Sequence, residues 1–346
     1  SIANALRKID PEIEILFAGA EGRMEMERVP AAGYDIVGLP VSGFDRKNPF
    51  RNITVLARLL KSLSLAGRIL KDFKPDAAVG VGGYASGPLL WQAGRLGIPC
   101  LLQEQNSYAG LTNRMLARKA KVICVAYDGM EKYFPAEKIL KTGNPVRMDF
   151  SAAAGTRKKA MEFFGLDEKL PVILVLGGSL GARTINRSMS ENISLLKGSG
   201  CQWIWQTGSH YYEDVNALVS LSDAPGIRVY GFIGRMDYAY SAADIIISRA
   251  GAGTISELCL AGKPAILVPS PNVADDHQTR NAMALTGKGA ALMVRDQEAV
   301  EKLVKEALAL AGNEQLRKSL SERISGLAER DADKRIAGEV MKLISI

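Results

Sequence analysis

The stretch LPVILVLGGSLGARTINRSM (170–189) decides the fold, because it joins an apolar run, a glycine-rich turn and a helical segment. The run 172–176 is apolar without alternation, which is typical of a strand buried on both faces of a parallel sheet. Gly177, Gly178 and Gly181 permit positive φ values and leave amide groups at a helix N-terminus, where an anion is stabilised. The stretch therefore predicts a strand–turn–helix unit that carries an anion site.

A second turn, SRAGAGTISELCLAG (248–262), repeats this pattern after another apolar run, with Gly251 and Gly253 before Thr254. One such turn is weak support for a ligand, because any tight connection between strand and helix can require glycine. Thr254 and Glu257 also have the spacing of a capping box. Two such turns in one domain, each at the carboxyl end of a strand, favour a bound nucleotide.

The spacing of the first turn argues against a nicotinamide dinucleotide. The segment GGSLGA (177–182) lacks the pattern GxGxxG, and the next predicted strand, within QWIWQTG (202–208), ends without an acidic residue for a ribose hydroxyl. We therefore expect nucleotide binding without hydride chemistry.

Strands and helices alternate along the 346 residues, a length that predicts two α/β domains. The predicted strands lie at residues 13–17, 77–81, 100–102, 122–126, 172–176, 203–206, 227–230, 244–247, 265–268 and 290–293. The break follows GNPVR (143–147), where a small, basic segment precedes a new series of strands. We expect two Rossmann-like domains with parallel sheets facing a cleft, residues 1–147 and 148–329, and a C-terminal helix (330–346) that braces the first.

Composition narrows the choice of partners. The net charge of +7 favours an anionic partner, which is a nucleotide, a nucleic acid or an anionic bilayer. Nucleic acid is disfavoured because the basic residues form no recognition motif with an aromatic platform. The four cysteines are widely spaced and form no metal-binding cluster, so we expect reduced thiols, no metal and no cofactor.

The beginning of the chain is unusual for a doubly wound domain. It opens with SIANALRKI (1–9), an amphipathic helix that no strand precedes, and EILFAGA (14–20) then predicts a strand. Such a domain normally begins with strand, loop and helix. We therefore expect that a first strand and its loop are missing from this sequence.

Three motifs of the first half each follow a predicted strand: VGVGGYASGP (79–88), LLQEQNSYAGLTNR (101–114) and KTGNPVR (141–147). Glu104 comes directly after a buried run, where a carboxylate is either functional or structurally satisfied. Arg147 is either a phosphate clamp or a surface arginine. The residues leave both alternatives open.

Six motifs, in their order and spacing, closely resemble those of the MurG family: GGYASGP, EQNSYAGLTNR, GNPVR, GGSLGAR, GAGTISE and DDHQTRNA (275–282). This bacterial family adds N-acetylglucosamine to the undecaprenyl-linked muramyl-pentapeptide of peptidoglycan synthesis. The resemblance covers essentially the whole chain. It implies the two-domain GT-B fold and a metal-independent, inverting transfer from UDP-N-acetylglucosamine to the C4 hydroxyl of undecaprenyl-pyrophosphoryl-MurNAc-pentapeptide, which converts lipid I to lipid II.

Carried over position by position, the resemblance assigns the donor to Asn106, Arg147, Ser179, Ile233, Ala252, Gly253, Thr254, Ile255, Ser256, Glu257 and Gln278. It places Ile233 against the uracil, Glu257 on the ribose hydroxyls and Gln278 on the sugar hydroxyls. Asn106 and Arg147 are expected to reach the donor from across the cleft.

One departure from the family concerns the acceptor. The family signature GGTGGH is absent here, and its histidine is the favoured candidate for acceptor chemistry. Neither His210 nor His277 replaces it by motif. Glu104 and Tyr84 are the remaining acceptor-side catalytic candidates.

A lipid-linked acceptor requires a membrane contact. The segment 52–74 carries Leu56, Leu59, Leu60 and Leu63 at helical spacing among lysines and arginines. It is either an interfacial helix that meets an anionic membrane surface or an ordinary amphipathic helix that packs on the sheet. The resemblance favours the first, and hence a peripheral protein on the cytoplasmic face of the cell membrane.

Two alternative functions stay open. The chain is either another GT-B enzyme, such as a lipid glycosyltransferase or a UDP-N-acetylglucosamine epimerase, or a donor-binding chain impaired in catalysis because GGTGGH is absent. EQNSYAGLTNR together with GNPVR favours the MurG-like transferase over the related enzymes.

Overall fold

The computed structural model describes residues 1–41, 51–146, 156–178, 180–273 and 276–345, without the side chains of 51–53. The chain divides into two compact units, Ser1–Pro145 with Asp331–Ile346 and Val146–Arg330. Two predicted donor residues, Arg147 and Ser179, lie outside the described residues.

The first unit contains, in chain order, α1 (Ile2–Ile9), β1 (Leu16–Ala20), α2 (Glu25–Ala31), β2 (Asp35–Leu39), α3 (Arg51–Phe73), β3 (Ala78–Gly80), α4 (Ser86–Arg95), β4 (Cys100–Glu104), α5 (Leu111–Leu116), β5 (Val122–Val125) and β6 (Ile139–Lys141). Strands β1 and β2 form one sheet, and a second sheet has the order β3–β4–β5–β6.

The second unit contains α6 (Arg157–Phe164), β7 (Val172–Leu176), α7 (Arg183–Glu191), α8 (Ile193–Lys197), β8 (Gln202–Gln206), α9 (Tyr212–Leu221), β9 (Ile227–Tyr230), α10 (Met236–Ala242), β10 (Ile245–Ser248), α11 (Ala252–Ala261), β11 (Ala265–Leu267), α12 (His277–Thr286), β12 (Leu292–Met293), α13 (Ala299–Gly312) and α14 (Glu314–Ser325). Its sheet has the order β12–β11–β10–β7–β8–β9. Every strand pair in the described parts of both units is parallel. The predicted α/β fold with parallel sheets is therefore confirmed.

The last helix, α15 (Ala332–Ile344), packs on the first unit. Its Ile336 and Val340 are buried in one cluster with Leu6 of α1, Leu101 of β4 and Cys124 of β5. Their neighbours on these strands, Leu102 after Leu101 and Ile123 before Cys124, belong to a separate cluster that includes residues of α4 and α5. Because side chains alternate along a strand, α1 and α15 cover one face of this sheet and α4 and α5 cover the other.

The predicted strands all overlap observed ones, but β2 and β6 were not predicted from the sequence. In β2 the apolar pattern is interrupted by Gly38, where an added Cβ would lie 2.8 Å from Cγ of Glu21. Close packing, not propensity, therefore explains a glycine inside this strand. Strand β6 has only three residues, none of them fully buried, which is too short for a periodic signal.

Two of the three glycines after β7 are required by packing. A Cβ on Gly177 would lie 2.8 Å from the carbonyl oxygen of Gln206, and one on Gly181 would lie 2.6 Å from that of Thr207. Gly181 also has a φ of +82°. Gly178 differs, because its φ is +75° but no described atom would lie within 4 Å of its Cβ. Close packing therefore accounts for Gly177 and Gly181, whereas Gly178 borders open space.

Alanine substitutions separate these two roles. Gly178→Ala is expected to cost only the left-handed backbone conformation, about 1–2 kcal/mol of the free energy of unfolding. Gly181→Ala adds a steric overlap and is expected to cost about 2–5 kcal/mol. Urea unfolding followed by tryptophan fluorescence measures both, since Trp203 and Trp205 are fully buried in this unit. Equal losses of unfolding free energy in the two variants would show that crowding against Thr207 does not add to the cost of Gly181→Ala.

Candidate functional site

The two glycine turns leave neighbouring strands of the second unit. Strands β7 and β10 pair in parallel, with Leu176 opposite Ser248 at their last residues. Because parallel strands end at the same edge of a sheet, the turn that begins at Gly177 and the turn that contains Gly251 lie side by side at the carboxyl edge. The register of one strand pair thus brings together two motifs that are far apart in sequence.

Helix α11 begins at Ala252, with Gly251 as its N-cap and no side chain bonded to the cap. Thr254 is therefore the third residue of the helix, and the capping-box interpretation of Thr254 is wrong because the helix starts before it. A Cβ on Gly251 would meet nothing closer than Oγ1 of Thr254, at 3.7 Å, and one on Gly253 would meet no described atom within 4 Å. Neither a positive φ nor close contact with a described atom requires glycine at these two positions.

The remaining predicted residues of this helix divide by environment. Ile255 is buried, and Oγ of Ser256 donates to the carbonyl oxygen of Ala252 at 3.1 Å. These two side chains therefore serve the helix and its packing. Ala252, Gly253 and Thr254 form the first turn, whose amides have no acceptor within the helix.

Glu257 lies one turn further along α11 and is half-buried. Its Oε2 accepts a hydrogen bond of 3.0 Å from the hydroxyl of Tyr240, which lies in α10 and is 2% exposed. Burial, reinforced by the adjacent carboxylate, raises the pKa of Tyr240 well above its usual value. The hydroxyl therefore stays protonated and holds one carboxylate oxygen in place.

Ile233 is buried, and its amide donates to Oε1 of Gln206 at 3.0 Å. Gln206 is the last residue of β8, so this bond fixes the segment after β9 at the carboxyl edge of the sheet. The preceding Phe232 is 67% exposed. This aromatic side chain was not among the predicted site residues, although two adjacent apolar residues in GFIGRM cannot both point inward from an extended segment.

Gln278 lies in the first turn of α12, and its Oε1 accepts a 2.8 Å hydrogen bond from the amide of Ser270. It lines a cavity of about 650 Å³ that also includes Gly181 of the first glycine turn. The same cavity is lined by Arg183, Arg187 and Arg249. These arginines were not predicted as a group, because their spacing in the sequence does not show that they share one cavity.

In the first unit, Glu104 is 3% exposed, and its carboxylate is satisfied by the loop that follows it and by Asn113 of α5. Oε1 accepts hydrogen bonds from the backbone and side-chain nitrogens of Asn106, at 3.0 and 3.4 Å. Oε2 accepts from the amide of Gly110 at 3.0 Å and from Nδ2 of Asn113 at 2.8 Å. The geometry favours the structural alternative for Glu104, because its hydrogen bonds shape the loop that carries Asn106.

A second network joins this loop to the segment after β6. Nε2 of Gln103 donates to Oδ1 of Asn144 at 2.8 Å, and Nδ2 of Asn144 donates to the carbonyl oxygen of Gln105 at 2.9 Å. The EQN and GNP motifs are thus adjacent in the fold. Tyr84 follows Gly83 in the turn before α4, with 55% of its surface exposed.

The predicted membrane helix is α3, and its four leucines fall into two environments. Leu56 and Leu60 are 54% and 61% exposed, whereas Leu59 and Leu63 are partly buried. The opposite face packs inward through Val55, Ser62, Ala66 and Leu70. The helix is therefore amphipathic and packed on the fold, and it also displays an apolar edge. None of the helices in the described ranges combines the length and apolar character needed to cross a bilayer.

The four cysteines are free thiols, and Cys100, Cys124 and Cys259 are buried. Burial raises the pKa of Cys124 and of Cys259 to about 12, so both thiols stay protonated. Within the described part of the chain, no three His, Cys, Asp or Glu side chains are grouped as metal ligands.

Two domain families of known proteins match the two halves of the chain. Residues 1–125 match the glycosyltransferase family 28 N-terminal domain, and residues 172–336 match the glycosyltransferase family 28 C-terminal domain. The chain is 56% identical over 344 residues to a UDP-N-acetylglucosamine--N-acetylmuramyl-(pentapeptide) pyrophosphoryl-undecaprenol N-acetylglucosamine transferase of Parabacteroides distasonis, covering 99% of this chain and 94% of that one. A protein of the same name from Phocaeicola vulgatus is 58% identical over 344 residues, with 99% and 92% covered.

Among solved structures, the crystal structure of Acinetobacter baumannii MurG is similar with a TM-score of 0.79 at 30% identity, covering 99% of this chain and 95% of that one. The resemblance inferred from the six motifs is therefore confirmed, and the epimerase and other lipid glycosyltransferases are not favoured. Relatives of more than half identity along almost the entire length, together with this fold, show that the chain belongs to the MurG family of glycosyltransferases.

Proposed function

We propose that this chain transfers N-acetylglucosamine from UDP-N-acetylglucosamine to the muramyl C4 hydroxyl of undecaprenyl-pyrophosphoryl-MurNAc-pentapeptide, which converts lipid I to lipid II in peptidoglycan synthesis. The names of its relatives describe this transfer. The observation that carries the proposal is the pair of glycine turns that leave adjacent strands β7 and β10 at one edge of the sheet.

The donor pyrophosphate binds at the N-terminus of α11 and beside Gly178 in this proposal. First-turn amides and the helix dipole stabilise negative charge at that end of the helix. The attacking hydroxyl approaches the anomeric carbon from the face opposite UDP, so charge grows on the leaving pyrophosphate as the bond breaks. Fixed amides bind that charge more tightly in the transition state than in the ground state, which accelerates the transfer.

Other donor contacts follow from side chains already held in place. The Tyr240 hydroxyl orients the Glu257 carboxylate for the ribose hydroxyls. We place the uracil at Ile233 and the exposed Phe232, and the sugar at Gln278, which lines the cavity beside the arginines. Asn106, Arg147 and Ser179 complete the donor set that the family resemblance assigns.

Gly251→Ser tests the pyrophosphate position. Serine is at least as good an N-cap as glycine, so the thermal midpoint is expected to stay within about 2 °C of the wild type. The added side chain projects from the N-terminus of α11, where we place the pyrophosphate, and the Kd for UDP-N-acetylglucosamine is expected to rise at least about ten-fold by calorimetry. Gly312→Ser, at the end of α13, is the matched control and leaves the Kd unchanged. An unchanged Kd in Gly251→Ser as well would refute this placement.

Glu257→Gln tests the ribose contact. The amide keeps the shape of the side chain and an oxygen that accepts from Tyr240, but it loses the negative charge. The charge-assisted bond to a ribose hydroxyl is expected to weaken by about 1–2 kcal/mol, equivalent to a five- to thirty-fold higher Kd for UDP. Calorimetry with UDP isolates this contact from the sugar. Wild-type affinity for UDP in this variant would leave Glu257 with a structural role only.

On the acceptor side, Glu104 acts through Asn106 in our proposal. Its four hydrogen bonds fix the loop from Gln105 to Gly110, and so it is a positioning residue. Tyr84 stays the exposed candidate for contact with the acceptor.

The lipid of the acceptor is reached from the membrane surface, and we assign the contact to the exposed edge of α3. Helices α3 and α4 pack together, as do α4 and α5, and each displays large apolar side chains: Leu56, Leu60, Trp91, Leu111 and Met115. Nζ of Lys119 lies 3.4 Å from the centroid of the Trp91 ring. Apolar side chains next to cations are what a protein surface needs to bind an anionic bilayer, here the cytoplasmic face of the cell membrane.

The double variant Leu56→Glu/Leu60→Glu tests this surface. Binding to vesicles that contain phosphatidylglycerol is expected to weaken at least about ten-fold in a sedimentation assay, because two apolar contacts become two like-charged repulsions. Leu221→Glu is the matched control, since Leu221 is an 87% exposed leucine of the second unit. Circular dichroism should show that both variants are folded. Equal vesicle binding by the double variant and the control would assign the membrane contact elsewhere.

A further inference from the structure

A single carboxylate connects the two glycine turns, although neither motif contains it. Asp296 follows β12, and its Oδ2 accepts a hydrogen bond of 2.9 Å from Oγ1 of Thr184, the second residue of α7. Its Oδ1 accepts from Nη1 of Arg249, which follows β10 in the second turn. One side chain is therefore bonded both to the helix that follows the first turn and to the start of the second.

Arg249 extends this network to a third segment. Its Nη1 also donates to the carbonyl oxygens of Val268 and Pro269, at 3.1 and 3.4 Å, directly after β11. The connections after β7, β10 and β11 are therefore tied together through one guanidinium and one carboxylate. Thr184, Arg249 and Asp296 line, with Gln278, the same cavity of about 650 Å³.

The pair is sheltered from solvent. The side chains of Arg249 and Asp296 are 20% and 16% exposed, against 40% and 30% for the Arg157–Asp244 pair of the same unit. Solvent-exposed ion pairs contribute little to the free energy of unfolding. Removing one partner of a sheltered pair costs more, because the other partner is left without its counter-charge. Loss of Asp296 should therefore disturb the two turns more than loss of an exposed ion pair would disturb its surroundings.

We propose that Asp296 is a positioning residue for the donor: it holds the N-terminal turn of α7 and the turn before α11 at the separation that the pyrophosphate of a nucleotide-sugar requires. The inference rests on the proposed function, because it takes the two turns as the pyrophosphate site. Asp296 acts through Thr184 and Arg249 and does not itself bind the substrate.

The test compares Asp296→Ala, Asp296→Asn and Thr184→Val with a matched control, Asp244→Asn. Asp244 also accepts from an arginine, Arg157, but it bonds to the amide of Val172 at the amino end of β7, away from both turns. An asparagine at 296 can still accept from Arg249 and donate to Thr184, and so it should restore part of what alanine loses.

Steady-state kinetics give the first readout. Asp296→Ala is expected to raise the KM for UDP-N-acetylglucosamine about five- to twenty-fold and to lower kcat as well, because displaced amides also lose contact with the charge that grows on the pyrophosphate, with Asp296→Asn between it and the wild type. Thr184→Val, which is nearly isosteric, should raise the KM in the same direction. The effects of Thr184→Val and Asp296→Ala should not add when combined, because both break one network. Asp244→Asn should lower the thermal midpoint and leave the KM unchanged.

Hydrogen exchange of the ligand-free protein gives a second readout that does not depend on activity. Amides of residues 180–186 and 249–254 should exchange faster together in Asp296→Ala and at the wild-type rate in Asp244→Asn. A lower thermal midpoint with wild-type KM and wild-type exchange in both turns would overturn the inference, and so would a lower KM. If the wild type itself binds no UDP-N-acetylglucosamine, the proposed function fails. If the wild type binds it and Asp296→Ala binds it equally, only the inference fails.

Discussion

The pairing of β7 with β10 is the constraint on which the donor site depends. Leu176 and Ser248 are partners at the last rung of this parallel ladder, so the chain leaves both strands at the same height. A slip of one residue would turn every side chain of a strand to the opposite face of the sheet, where it would have to fit a differently shaped, close-packed core. Hydrophobic burial therefore fixes where two sets of amide groups lie, although no apolar side chain takes part in the chemistry.

Packing at the turns explains why glycine recurs there. Gly181 lies against the segment after β8, where Gly208 has a φ of +84° and an added Cβ would lie 2.3 Å from the amide nitrogen of Gly181. Two backbones approach each other so closely that neither can carry a side chain. Gly178 and Gly251 have no such neighbours. The same residue type thus serves two purposes within a few positions, and only the surroundings distinguish them.

The sequence was sufficient to predict the strands of the six-stranded sheet, because short apolar runs between helical patterns are typical of buried parallel strands. The sequence was insufficient to predict features that depend on tertiary contacts. The strand that contains Gly38 lies close to the side chain of Glu21, and the environment of Glu104 depends on donors supplied by its loop and by Asn113. Asp296 is the clearest case. Thr184 and Arg249 lie 112 and 47 residues away from it in sequence, and no local pattern indicates that the three side chains meet.

The position of α15 has a consequence for biosynthesis. Ile336 and Val340 fill the core between α1 and the sheet of the first unit, yet the ribosome makes them only after the whole second unit. During translation the face of that sheet that carries Leu101 and Cys124 is covered only by α1 while the intervening unit emerges and folds. The first unit is thus the first to be synthesised and the last to be completed, and a nascent chain stopped before α15 would expose an apolar sheet surface to chaperones and proteases.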